Sequence, residues 1–107
     1  MSFLKIDKIY ISPNKDEFWL GTALKVVAIL DISTADSVKI SIYDYARIEL
    51  VNAVSMTKDA NRVYSYTYQS NEDGSEGTYS IIVEALSGSN TSVEKVYVDF
   101  IDPELEN

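Results

Sequence analysis

Between Val63 and Ala85 the chain reads VYSYTYQSNEDGSEGTYSIIVEA, and the alternation within this stretch constrains the fold more than any other feature. Tyr64, Tyr66 and Tyr68 alternate with Ser65 and Thr67. After a polar loop, Tyr79, Ile81, Val83 and Ala85 alternate with Ser80, Ile82 and Glu84. Successive side chains of a strand point to opposite faces of its sheet, so a period of two marks a strand with one buried face. Two such runs around a Gly/Asp/Ser-rich loop predict paired sheet elements.

The same pattern recurs along the chain. Leu4 to Ser12 reads as a first strand, and Ser12-Pro13-Asn14-Lys15 as a turn, since Pro presets the backbone and Asn tolerates unusual angles. Phe18-Trp19-Leu20, closed by Gly21, fits either a short strand or a plug over one end of the core. Thr22 to Leu30 is a strong strand with Leu24, Val26, Ala28 and Leu30 inward; Val27 and Ile29 suggest partial cover on its other face. A polar loop from Asp31 to Ser37 leads to Val38, Ile40 and Ile42 in a further strand, and Tyr43-Asp44-Tyr45-Ala46 turns the chain. Arg47 to Thr57 fits a strand bulged around Asn52, with Ile48, Leu50, Val54 and Met56 on its apolar side. A short helix competes there, and strand is preferred because neither helix-cap signal is present. Lys58-Asp59-Ala60-Asn61 reads as a tight turn and Ser87-Gly88-Ser89-Asn90 as a hairpin loop. Val93 to Phe100 is the last strand, with Val96, Val98 and Phe100 inward, and it ends at Asp102-Pro103 because Pro cannot donate to a ladder. About seven short strands with turn signals every ~8–12 residues predict an all-β, antiparallel two-sheet sandwich. Residues 1–101 form its single domain, and 102–107 a tail or linker.

Composition narrows the function classes. The 107 residues carry a net charge of −8, and nucleic acid or an anionic membrane would need a basic face. Neither Cys nor His occurs, which excludes disulfides, thiol catalysis and zinc–thiolate sites, and removes the commonest general base. No apolar run approaches the ~18 residues of a membrane span, and MSFLKIDKIYI has neither an apolar signal core nor a small-residue cleavage site. The chain is therefore either not secreted by that route or a domain of a longer one.

Ser75, Gly77, Tyr79 and Ile81 stand in the order and spacing of a tyrosine corner. The order of Pro13, Gly21, Val38–Asp44, Val63–Tyr68 and Gly77–Ala85 resembles disulfide-free immunoglobulin-like modules of bacterial, archaeal and phage surface and structural proteins. Ser75 replaces the usual Asp, Ile81 stands where antibody domains carry Cys, and Trp19 precedes the second strand instead of lying on the third. The resemblance implies a non-catalytic structural or adhesion module of a cell-surface or virion protein, acting as spacer or protein-interaction unit. The alternatives are an accessory module for carbohydrate or calcium in a secreted multidomain enzyme, and a stand-alone phage decoration or assembly protein. The expected partners are other domains of the same chain or assembly, at an extracellular, cell-surface or virion location.

Three features invite a functional reading beside a plainer one. The ladder of Tyr64, Tyr66 and Tyr68 could stack on carbohydrate, but one shared face favours packing in the core. Trp19 and Phe18 fit an interface hot spot or a lid on the core. Immunoglobulin-like topology gathers Asp16, Glu17, Asp44, Glu72, Asp73, Glu76, Asp102 and Glu104 at one end. Calcium takes six to eight oxygens from such groups, yet no loop has EF-hand spacing, and a solvated acidic end is the simpler expectation. No nucleophile elbow, phosphate loop or paired acid appears. No catalytic, cofactor-binding or metal-ligating residue is assigned, and no enzyme activity is expected.

Overall fold

A computed structural model describes residues 4–102. Nine strands follow one another: β1 (Ile6–Ser12), β2 (Glu17–Trp19), β3 (Ala23–Leu30), β4 (Ser37–Tyr43), β5 (Glu49–Ser55), β6 (Thr57–Ala60), β7 (Val63–Gln69), β8 (Gly77–Ser87) and β9 (Asn90–Ile101). They form a four-stranded sheet, β1-β3-β7-β6, and a five-stranded sheet, β2-β9-β8-β4-β5. Neighbours run antiparallel except β2, which lies parallel to β9. Among the described residues there is no helix, and none is long and apolar enough to cross a membrane.

The core fills the space between the sheets because inward residues recur at every second position. Leu24, Val26, Ala28 and Leu30 of β3 face Val38, Ile40 and Ile42 of β4 and Ile81, Val83 and Ala85 of β8, all buried. Tyr64 and Tyr68 are buried from β7, with Tyr66 half-buried against the same core. The reading of the tyrosine ladder as core packing therefore holds. In β9, Val98 and Phe100 are buried and Val96 packs against the core.

Three expected features are corrected. The two runs around the Gly/Asp/Ser-rich loop do not pair with each other: β7 lies in the four-stranded sheet and β8 in the five-stranded one, so that loop crosses the sandwich. Lys58, Asp59 and Ala60 are not a turn: they belong to edge strand β6, whose pairing with β7 runs from Thr57 opposite Ser65 to Ala60 opposite Val63. The reversal falls one step later, at Arg62, where φ is 72°. In β5 the strand reading is right and the bulge lies by Asn52, where Ile40 pairs with Val54 but Ile42 with Val51. Of the four side chains expected inward, Met56 is buried and the other three are not. Val51 is buried, as is Met56 just beyond the strand, whereas Ile48, Leu50 and Val54 are exposed. The extra residue inverts the pleat, and β5 is an edge strand with one neighbour.

The molecule is elongated, 55 × 23 × 17 Å along its principal axes. The Ile6 amide bonds the Ser92 hydroxyl at 3.1 Å, so β1 starts where β9 starts. The Leu20 amide bonds the Ile101 carbonyl at 2.9 Å, so β9 finishes at the opposite pole.

Candidate functional site

That second pole holds Phe18, Trp19, Tyr68 and most of the acidic residues singled out in the sequence, and it is built around Phe100. The rings of Tyr79, Phe18 and Tyr68 lie 4.5, 5.9 and 6.2 Å from it, centroid to centroid. The Tyr79 hydroxyl donates to the Ser75 carbonyl at 2.6 Å, which is the tyrosine corner that the spacing predicted. Burial is the main reason its phenol is pushed up to about 12, with Tyr68 and Asp44 adding to the shift. Tyr68 is raised for the same first reason. Both are neutral structural phenols. Tyr64 serves the other pole, where its oxygen accepts the Ala35 amide at 3.1 Å.

Phe18 and Trp19 part company across the pleat of β2. Phe18 and Leu20 are buried, while Trp19 is 58% exposed. Register decides this. Glu17, Phe18 and Trp19 pair with Asp99, Phe100 and Ile101, and the Asp99 amide bonds the Asp16 carbonyl at 2.9 Å. Past Trp19 the chain turns sharply: the Thr22 hydroxyl donates to the Trp19 carbonyl at 2.7 Å. Gly21 sits at φ +96°, and a Cβ there would lie 3.1 Å from the Cβ of Glu72. The Ser70 hydroxyl accepts the Gly21 amide and donates to the Thr22 carbonyl, so the turn rests on the loop after β7. Both readings of this stretch are thus realised, a short strand and a lid.

Beside the indole lies a groove of about 380 Å³, lined by Pro13, Lys15, Glu17, Phe18, Trp19, Thr22, Ala23 and Ile101. A shallower depression adjoins it, lined by Lys15, Asp16, Glu17 and Asp99. The rest of the acidic set does other work. Asp44 is buried, and its Oδ1 accepts the amides of Ala46 and Ile48 at 2.9 Å each, closing the turn before β5. A Glu76 carboxylate oxygen accepts the Asp102 amide at 2.8 Å. Among the described residues no three or more acidic side chains come together as a metal site; Glu104 lies outside them. Asp99, absent from the acidic set read in the sequence, belongs to this surface because it pairs opposite Glu17. Only the register of β2 on β9 reveals it.

No protein-family model matches the chain, and no curated protein does. Among solved structures it is similar to the PKD domain of an M14-like peptidase from Thermoplasmatales archaeon SCGC AB-540-F20. The TM-score is 0.56 at 12% identity, covering 91% of this chain and 94% of that one. The M1 domain from titin matches more loosely, with a TM-score of 0.43 and 17% identity over 79% of this chain and 82% of that one. The fold is immunoglobulin-like. At these identities the likeness concerns fold alone, and the archaeal neighbour is itself a domain of a peptidase.

Proposed function

We propose that this chain is a non-catalytic structural or adhesion module of a cell-surface or virion protein, a spacer or interaction unit whose partners are other domains of its own chain or assembly. The observation that carries this reading is the placement of the two ends. The described chain begins at one pole of a 55 Å long body and leaves at the other, so copies or neighbours joined end to end extend a rod. The experiment is a tandem of two copies joined directly, with its maximum dimension measured by small-angle X-ray scattering. A spacer gives close to twice the length of one copy. A tandem folded back to little more than one length overturns the reading.

A second reading, an accessory ligand-binding module of a secreted enzyme, is favoured by one observation, the groove beside an exposed Trp19. A panel of neutral oligosaccharides and Ca²⁺, titrated while the emission of Trp19 is followed, tests it. Saturable binding of either favours the accessory role over the spacer.

A further inference from the structure

We propose that the double groove along β2 is a docking site for a basic segment of a partner protein, with an Arg or Lys side chain of that segment laid on the Trp19 indole. Parallel pairing with β9 sends Phe18 into the core and leaves Trp19 outside, on a backbone held by the β9 ladder. The indole is not a scattered apolar residue, because Pro13, Ala23 and Ile101 continue its apolar wall. Trp is the strongest aromatic partner for a cation, and the attraction grows when the pair leaves water.

Charge then selects the occupant. Asp16, Glu17 and Asp99 border the adjoining depression, and Glu17 lines both grooves. The ion pairs among the described residues are Lys25 with Asp59 and Arg62 with Asp7. Neither neutralises these three carboxylates, and Lys15 is the one cation in the wall. A neutral sugar would stack on the indole and donate hydroxyls to the carboxylates but leave their charge uncompensated; a guanidinium or ammonium stacks on the indole and offsets that charge. A net charge of −8 would also speed its approach. This site goes beyond the module role proposed above and holds whether the chain is a spacer or an accessory unit.

The chain has one tryptophan, so its emission reports this groove alone. The probe is a capped peptide of alternating Gly and Arg carrying a fluorescent label, beside the same peptide with citrulline in place of Arg. Expected results are saturable anisotropy and a change in Trp19 emission with the Arg peptide, weakening as NaCl rises, and at least about fivefold weaker binding of the citrulline peptide. Trp19→Ala and Glu17→Gln should each lower affinity about fivefold or more. Glu17 is exposed, so its variant keeps the fold even if Trp19→Ala does not. The proposal is overturned if neither signal saturates by millimolar peptide, if citrulline binds as well as Arg, or if Glu17→Gln binds like the parent.

Discussion

At the scale of single residues, the hydroxyl of Tyr79 is the most exposed to test. It reaches back to the Ser75 carbonyl from a fully packed ring, so Tyr79→Phe leaves a carbonyl without its donor. A loss of about 1–2 kcal/mol is expected, measured as a lower urea midpoint with unchanged slope. The phenol also gives a pH signature. It is pushed up to about 12, chiefly by burial, whereas in the unfolded chain it ionises near its ordinary value of about 10. Between those values the unfolded state binds fewer protons than the folded one. Stability therefore falls as pH rises from 10 and levels off above about 12. Tyr79→Phe should flatten that alkaline decline in a series of denaturation curves. The corner was legible because Ser75, Gly77, Tyr79 and Ile81 resemble, in order and spacing, the tyrosine corner of immunoglobulin-like sandwiches. The opposite fates of Phe18 and Trp19 were not legible. A three-residue strand carries too few alternations to fix its own phase, and the parallel ladder on β9 sets it.

Elements with a full alternation were read correctly, and those at sheet edges less so. The inward set of β3 and the strand β8 follow directly from period two, and both strands lie between neighbours that hold their register. Ile81→Ala, at the centre of β8 and opposite Ile42, should cost about 2–5 kcal/mol. In β5 the bulge at Asn52 was legible, but apolar residues occur on both sides of it, and the sequence does not show which of them face inward. The structure makes a sharp distinction there. Met56→Ala should cost about 2–5 kcal/mol because the side chain is buried, while Leu50→Ala, more than two-fifths exposed, should cost less than about 1 kcal/mol. Chemical denaturation of both variants checks it, and the reverse ranking would mean that the register of β5 is shifted by one residue. The same ambiguity hid β6, whose Lys58, Asp59 and Ala60 look like a turn because an exposed edge strand needs no apolar face.

Across the whole molecule the question is what the acidic pole does with its charge. The topology expected from sequence brings the loops before β2, before β5 and after β7 to the end where β9 finishes, and the structure agrees. Proximity of loops is not convergence of ligands, however. Asp44 is buried in its own turn, Glu76 holds the Asp102 amide, and Asp99 accepts the Thr78 hydroxyl at 2.6 Å. Calcium needs six to eight oxygens within about 2.3–2.6 Å, and among the described residues no three acidic side chains gather to offer them. Diffuse negative charge responds to ionic strength instead, since screening weakens repulsion between exposed carboxylates regardless of the cation. The expected outcome is that millimolar Ca²⁺ raises the melting temperature no more than NaCl of equal ionic strength, and that Asp73→Asn with Glu76→Gln leaves this response unchanged in kind. Differential scanning calorimetry in matched salts decides it. A rise specific to Ca²⁺, saturable and smaller with Mg²⁺, would show a cation bound to the folded state alone. It would also mean that the loop after β7 rearranges around the ion.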